Sequence, residues 1–358
     1  MAKFALRLEA RPAPSRLMSW LSPVLAVLLT VLCGALLFLA LGHDPLAGLA
    51  VFFVEPLRDA HGWSELGLKV APLLLIAVGL AICFRANIYN IGAEGQLTLG
   101  AICGGAAALY LDDGVGGAAI IGVSLLAGMA GGMAWAGLVA WLRDRYNASE
   151  ILVSLMLVYI AQLLLSYLVY GVLRDPEGFN FPQSKLLSDG LLLPMVISDT
   201  RLHVGIVFAL LASLGGWLYL SRSIAGFRLR VGGMAPAAAR YAGFSSRKTL
   251  WSSLLICGAL SGLAGACEVL GPMGQLTPTV SPGYGFAAII VAFVGRLHPV
   301  GVIFSSFVMA LFYIGGELAQ SRLGLPSAIT GVFQGILLFA LLACDVLIQY
   351  KLRWRKHG

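Results

Sequence analysis

A short polar run, FRANIYNIGAEGQLTLGA at residues 84–101, lies between two strongly apolar stretches. It carries one acid, Glu94, and three amides, Asn87, Asn90 and Gln96. An ionisable side chain at membrane depth is costly unless it faces a cavity or a partner. The glycines on either side of Glu94 favour local unwinding of a helix, which membranes tolerate only where the backbone lines a cavity or is buried in protein. The run therefore indicates a polar pathway, with an ordinary turn at the membrane surface as the alternative.

A second interruption, GPMGQLTPTVSPGYGFAAIIVAFVG, occupies residues 271–295. Its prolines and glycines prevent a continuous helix, and the apolar run that follows has only about 12 residues, too few to span a membrane. Paired broken segments in the two halves of a transporter are the best pointer in a sequence to a solute site formed by half-helix ends. The predicted pathway residues are Asn90, Glu94, Gln96, Pro282, Gly283, Tyr284 and Gly285.

Within this pathway, Glu94 is expected to accept hydrogen bonds from backbone N–H groups of its unwound turn, because an unpaired charge is costly to desolvate. Asn90 and Gln96 are then expected to lie nearer the solute. Tyr284 presents a ring that could stack on a base or a sugar, with plain packing as the alternative.

Motifs for covalent chemistry are missing from the sequence. The string nearest to a phosphate-binding loop, GFSSRKT at 243–249, lacks the required glycine–lysine pair, so we expect no ATP hydrolysis by this chain alone. No hydrolase motif or suitably spaced pair of carboxylates occurs within a predicted span, so no catalytic residue is predicted. The six cysteines lie singly in apolar stretches, which predicts neither a metal site nor a disulfide.

Two other classes remain as alternatives: an ion-coupled secondary transporter of a small solute and a membrane-embedded enzyme. A proton- or sodium-driven carrier usually needs a chain of buried acids. Here the candidates Glu94, Glu268, Glu317 and Asp345 all lie at the ends of predicted spans. The sequence favours neither class.

The composition is that of a polytopic membrane protein, since 59% of the 358 residues are hydrophobic and only 11% are charged. We predict an all-α fold with a membrane domain at 21–348, flanked by basic tails at 1–20 and 349–358. The ten candidate spans lie near 21–42, 66–83, 97–111, 117–142, 150–173, 203–221, 251–268, 284–295, 299–317 and 326–348.

The charges predict the orientation of these spans. With both termini in the cytoplasm, 18 of the 24 Lys and Arg residues fall on the cytoplasmic side, as the positive-inside rule requires. The net charge of +7 therefore reports topology and contact with anionic lipid, and it gives no reason to expect a nucleic-acid partner.

Two connections are long enough to bind a partner. Loop 174–202 is predicted on the outer side, as a docking surface, a lid or a passive connector. Loop 222–250 is basic and contains PAAARYAG at 236–243, whose proline and glycine favour a helix of about two turns outside the bilayer. This helix is either a docking surface or simply part of a basic loop held at the membrane.

Small residues spaced for close helix contact recur along the chain. The pairs are Gly128 with Gly132, Gly258 with Gly262, and Gly331 with Gly335. We expect all three to serve helix packing within the bundle.

Several strings in this order resemble the permease subunits of ATP-binding-cassette (ABC) importers, in the simple-sugar and nucleoside branch that is akin to branched-chain amino acid and ribose permeases. The resemblance covers residues 66–348. It is carried by NIGAEGQ (90–96), SEILVSLMLVYIA (149–161), FPQS (181–184), RYAG (240–243), LTPTVSPGYGFAAIIVAFVGRLHPVG (276–301) and GVFQGILLF (331–339).

The resemblance implies that residues from Gly226 to Gly243 form a cytoplasmic coupling helix that inserts into a cleft of the ATPase. The implied coupling residues are Gly226, Arg228, Pro236, Ala239, Arg240, Tyr241 and Gly243. Members of the family often carry an acid, an amide and another acid where this chain has Met234, Ala235 and Ala237, which makes the expected docking face more apolar.

The resemblance also implies partners and a location. The partners are a second, paralogous permease, an ATPase that often has two fused cassettes, and an extracytoplasmic binding protein. ATP and Mg²⁺ would bind the ATPase, and this chain would hold no cofactor. The implied activity is import of a nucleoside, a purine-like molecule or a simple sugar by alternating access across a bacterial plasma (inner) membrane.

Overall fold

The computed structural model describes residues 4–13, 15–112, 117–197 and 200–356. Its α-helices are α1 Arg16–Ala40, α2 Pro45–Leu49, α3 Ala60–Arg85, α4 Ala93–Leu111, α5 Gly117–Tyr146, α6 Glu150–Tyr170, α7 Gly205–Arg222, α8 Ile224–Met234, α9 Pro236–Tyr241, α10 Ser246–Glu268, α11 Tyr284–Val294, α12 Pro299–Leu323 and α13 Ile329–Gln349. Two π-helical turns (Ala50–Val54 and Val269–Met273), two 3-10 turns (Glu55–Leu57 and Asp189–Leu191) and two strands, β1 Phe4–Ala10 and β2 Tyr350–Lys356, complete the described elements.

Each predicted span corresponds to a helix, and eight helices in the described ranges are long and apolar enough to cross a membrane. The two predicted spans outside this set are α4, whose first turns contain Glu94 and Gln96, and α11, which has 11 residues. The prediction of an all-α multi-pass fold with two interrupted helices is confirmed. A short apolar helical segment at Pro45–Leu57 was not predicted.

The terminal tails form a structure that the sequence did not indicate. Strands β1 and β2 pair antiparallel, with Phe4 opposite Lys356 and Ala10 opposite Tyr350. They can pair because α1 and α13 pack side by side, so that the Ser15 amide donates to the Ile348 carbonyl at 3.1 Å. The two tails therefore lie at the same end of this helix pair. Residues 1–3, 14 and 357–358 of the predicted tails lie outside the described residues.

The helices divide into a terminal unit (Met1–Gly62 with Leu311–Gly358) and a central unit (Trp63–Ala310). The terminal unit has an aromatic core of Phe38, Phe52, Phe312 and Phe333, in which the rings of Phe52 and Phe333 stack with centroids 4.2 Å apart. Stacked and edge-on aromatic contacts of this kind stabilise a core beyond the area they bury.

The central unit is built around close contacts between α4, α5 and α10. Glycines make these contacts possible, because a Cβ on Gly262 would lie 2.2 Å from the Gly128 carbonyl oxygen, and one on Gly132 would lie 2.1 Å from the Gly258 oxygen. Two of the three predicted glycine pairs thus pack α5 against α10. The third differs: a Cβ on Gly331 or Gly335 would meet no described atom within 4 Å.

The loops of the central unit gather at its two ends. At one end, a cleft is lined by residues of the α3–α4 connection, the last turn of α5 and the stretch from α8 to the start of α10, which include Arg143, Arg228 and Arg240. At the other end, loop 174–202 contacts the α4–α5 connection, where the Ser188 hydroxyl donates to Asp112. The basic loops thus share one end, which is the arrangement that the charge pattern predicts for the central unit.

Candidate functional site

The first broken segment, residues 86–92, connects α3 to α4. It begins where Asn87 adopts φ 60°, a left-handed conformation that Asn tolerates better than most residues. The second broken segment, residues 269–283, connects α10 to α11 through a π-helical turn, Gly274 at φ 63° and Gly283 at φ 92°. Glycine accepts these angles without steric cost, so the two glycines allow the chain to leave one helix and start another.

The two segments meet at the start of α4 and the start of α11. The Gly285 amide donates a 2.5 Å hydrogen bond to the Glu94 carboxylate. The Ser281 hydroxyl and the Gly283 backbone also interact with this carboxylate, and Ser281 accepts from the Tyr284 amide at 3.0 Å. A carboxylate is favourable at a helix N-terminus because amide groups and the helix dipole are positive there. Glu94 therefore joins the N-termini of two half-helices.

This arrangement differs in one respect from the expectation for Glu94. The acid does accept a backbone N–H, but the donor lies in the first turn of α11, 191 residues away along the chain. The backbones are also in close contact, since a Cβ on Gly285 would lie 2.3 Å from the Glu94 nitrogen. Local pattern could not reveal this partner. Ser281, which caps α11 together with Glu94, was not singled out, although serine is a favoured capping residue.

Asn90 and Gln96 pair with each other and are fully buried. The Asn90 amide nitrogen donates to Gln96 at 3.1 Å, and the Gln96 amide nitrogen donates back to Asn90 at 3.3 Å. Asn90 also contacts the Cys257 sulfur and accepts from the Gly92 amide. In this conformation the two amides hold the first segment in shape, and contact with a solute would require the segment to move.

The predicted residues of the second segment lie at and just before the start of α11. Pro282 is exposed, Gly283 is half-buried, and Tyr284 and Gly285 are buried. Tyr284 is 2% exposed, and the Lys69 ammonium of α3 lies 5.9 Å from its ring centroid. The structure thus brings Glu94 together with Ser281, Gly283 and Gly285, and places a lysine that the sequence did not flag against Tyr284.

The second broken segment is tied to loop 174–202. The amide of Ser184 donates to the Leu276 carbonyl and its hydroxyl accepts from the Leu276 amide, both at 2.9 Å. The Leu187 amide donates to the Gly274 carbonyl at 2.8 Å. These three hydrogen bonds join loop 174–202 directly to the backbone of the second segment.

The first broken segment is tied to loop 222–250, which contains two helices, α8 and α9, where the resemblance implied a single one. The break falls at Ala235, because a residue before proline is disfavoured in helical conformation. Near the end of α8, a Cβ on Gly233 would lie 2.4 Å from the Arg85 carbonyl oxygen and 3.1 Å from the Ala86 Cα. The end of α8 thus touches the start of the first segment.

Helix α9 has the predicted ends. Pro236 occupies its first turn, and Gly243 follows it at φ 76°. The Phe244 amide donates to the Ala239 carbonyl and the Gly243 amide to the Arg240 carbonyl, which is the Schellman pattern that ends many helices. These bonds hold a short, rigid helix outside the bundle.

The other implied coupling residues surround this helix. Gly226 is buried in the first turn of α8, and Ala239 is 4% exposed. Arg228 lies 5.5 Å from the Phe244 ring centroid, and Arg240 is exposed. Residues of α8, α9 and the first segment line a cleft of about 430 Å³. Tyr241 is 98% exposed and Met234 is 86% exposed, so the most solvent-facing part of the loop is apolar and aromatic.

The model of the family described as "branched-chain amino acid transport system / permease component" matches residues 64–342. This chain belongs to that permease family. The matched range begins where the central unit begins, and it leaves out most of the N-terminal part that showed little resemblance.

Curated relatives agree with this assignment. The permease is 32% identical to the glucose ABC transporter permease protein TsgB13 of Haloferax volcanii, over 97% of this chain and 93% of the relative. It is 31% identical to the guanosine ABC transporter permease protein NupP of Bacillus subtilis, over 90% of this chain and 93% of the relative. It is 29% identical to NupQ, a second guanosine permease protein of B. subtilis, over 69% of this chain and 80% of the relative.

Membership of the family makes this protein a transport subunit of an ABC transporter and not an enzyme. Together with the eight apolar helices, it places the permease in the plasma (inner) membrane as a multi-pass protein. The family also implies an ATPase and a substrate-binding protein as partners.

The joint between the broken segments supports a stability prediction. Glu94→Ala removes the acceptor for the Gly285 amide, and an unsatisfied buried donor costs about 1 to 3 kcal/mol. Glu94→Gln keeps one acceptor oxygen and is expected to be milder. Thermal unfolding of the purified permease in detergent measures the difference. Glu177→Ala, at an exposed acid, is the control, and an equal melting temperature for Glu94→Ala and Glu177→Ala would contradict the role.

Proposed function

We propose that this permease carries a neutral ring-shaped solute, a nucleoside or a simple sugar, into the cell by alternating access, driven by ATP hydrolysis on a separate ATPase. One observation supports this most strongly. Each broken segment contacts one long loop, and the helices that follow the two segments, α4 and α11, meet at the hydrogen bond between Glu94 and Gly285. A path of direct contacts therefore leads from loop 222–250 at one end of the central unit to loop 174–202 at the other.

The ends of this path suit two different partners. Helix α9 exposes Tyr241, and Tyr is a common anchor in protein interfaces, so loop 222–250 is the docking site for the ATPase. Loop 174–202 is the docking surface for the binding protein on the outer side. Docking outside and ATP-driven closure inside would each bias the same pair of half-helices, which is the requirement for coupled transport.

The relatives support a second permease as a further partner. NupP and NupQ are both guanosine permease proteins of one organism, and both are similar to this chain. We therefore propose a paralogous second permease, with Asn90, Glu94, Gln96 and the 282–285 turn lining this chain's share of the pathway. The ATPase, with two fused cassettes, would hold ATP and Mg²⁺.

ATP-driven uptake into proteoliposomes tests this function. The permease is reconstituted with the proposed second permease, ATPase and binding protein, and radiolabelled guanosine or glucose is added. We expect accumulation that requires ATP and persists when ionophores abolish proton and sodium gradients. Uptake that follows an ion gradient without ATP would instead establish the ion-coupled carrier.

A further inference from the structure

Lys69 is a cation within the membrane-spanning helix α3, one turn after Glu65, which pairs with Arg201 of loop 174–202. It is nine residues from the start of α3 and 16 from its end, or about 14 Å and 24 Å along the axis. Of the eight apolar helices, α3 is the most enclosed, with 89% of its most apolar stretch buried. Ionisable residues within membrane-spanning segments are rare and usually serve transport or binding.

The surroundings of Lys69 combine an aromatic ring with an acid. Its ammonium lies 5.9 Å from the centroid of the Tyr284 ring, within the range of a cation–π contact. The carboxylate of Glu268 is close enough for the two opposite charges to attract each other. Tyr284 and Glu268 are 2% and 5% exposed, whereas Lys69 is half-buried. Lys69 is thus the most exposed member of this group.

The group also flanks the second broken segment. Glu268 is the last residue of α10, directly before the second broken segment, and Tyr284 is the first residue after it. Lys69 comes from a third, continuous helix. A shift of the second segment would therefore move the ring and the carboxylate relative to the ammonium.

We propose that Lys69, Tyr284 and Glu268 form a solute-recognition cluster, and that the solute carries a nucleobase. The flat ring of the base lies on Tyr284 in place of the Lys69 contact, since every base has a π-face that stacks on an aromatic ring. The ammonium then donates to a ring carbonyl, and the carboxylate accepts from the neighbouring ring N–H. This inference rests on the proposed function and adds its chemical specificity.

A pair of nucleosides tests the cluster directly. Inosine and purine riboside differ in the ring carbonyl and its adjacent N–H, which inosine has and purine riboside lacks. Their ATP-driven uptake is compared in proteoliposomes with saturating amounts of one binding protein, so that its own preference cancels between variants. We expect Lys69→Met to reduce the preference for inosine by about tenfold, because a hydrogen bond to a charged donor is lost. Lys351→Met, at an exposed lysine, is expected to keep the wild-type preference.

A second variant separates recognition from folding. Lys69→Met alone leaves Glu268 buried beside an apolar group, so Lys69→Met with Glu268→Gln removes both charges and avoids an uncompensated buried acid. For both variants, the assembled transporter is checked for wild-type size and for ATPase activity. A folded, ATP-hydrolysing variant with the wild-type ratio of inosine to purine riboside uptake would overturn the cluster.

Uptake by the wild-type transporter shows whether the recognition cluster or the proposed function itself is wrong. If the wild-type transporter took up glucose but neither nucleoside, the proposal that the solute carries a nucleobase would be overturned. The proposal of ATP-driven transport would stand. Absence of ATP-driven uptake of all three solutes would overturn the proposed function itself.

Discussion

Replacing Tyr241 by aspartate is expected to abolish ATP-driven uptake while the permease still inserts and folds. The side chain is 98% exposed, so the permease alone loses almost no contact when it is changed. An interface anchor of this kind typically contributes 2 kcal/mol or more, which is about a 30-fold loss of affinity. A carboxylate in place of the ring also carries a large free-energy cost of desolvation when it is buried in an apolar interface. Co-purification of the ATPase with tagged permease measures the effect.

A matched control is available at the other end of the central unit. Phe179, in loop 174–202, is 93% exposed, and Phe179→Asp is expected to leave co-purification of the ATPase unchanged. If Tyr241→Asp retained the ATPase as well as Phe179→Asp does, α9 would not be the docking helix. Arg240 is exposed and lines the cleft beside α8 and α9. Arg240→Glu reverses its charge and is expected to weaken the ATPase interaction.

Gly243 adds a test of the helix geometry. A Cβ at this position would meet no described atom within 4 Å, so the cost of substitution comes from its φ of 76° and not from a clash. For most residues this left-handed conformation costs about 1 to 2 kcal/mol, whereas Asn tolerates it better. Gly243→Asn should therefore preserve coupling better than Gly243→Val.

The second large effect is expected at Gly262, where leucine should prevent formation of a folded permease. A Cβ there would lie 2.2 Å from the Gly128 oxygen and 3.0 Å from the Gly132 nitrogen, both of which are backbone atoms on a neighbouring helix. Backbone cannot rotate away as a side chain can, so α5 and α10 would have to separate. Overpacking usually costs about 1 to 3 kcal/mol, and a clash with backbone at a helix crossing should exceed that range.

Gly335→Leu is the matched control, since Gly335 also belongs to a glycine pair spaced for helix contact. A Cβ there would meet no described atom within 4 Å, and leucine favours helix more than glycine does. Fluorescence-detected size exclusion of tagged variants in detergent compares the two. A monodisperse Gly262→Leu permease with wild-type yield would show that the crossing of α5 and α10 is not as close as the structure has it.

The sequence alone determined the class of protein and much of its local structure. A chain with so many apolar residues and so few charges is stable only in a membrane. Each span ends where charges or turn residues begin. The helices could therefore be predicted from the free energy of transferring each stretch from water to lipid. Proline and glycine restrict or free the backbone within one or two residues of themselves. For this reason the breaks before α4 and α11 and both ends of α9 were also predictable.

The tertiary structure alone decided which of these features meet. Identical spacing cannot show that Gly258 and Gly262 pack against α5 while Gly331 and Gly335 face open space, because the spacing describes one helix and the contact needs two. Likewise, Glu94 needed a donor, but the choice of Gly285 depends on where α11 lies. The pairing of β1 with β2 and the position of Lys69 over Tyr284 have the same origin. Each joins residues far apart in sequence whose proximity is a result of packing, which no local preference of the chain encodes.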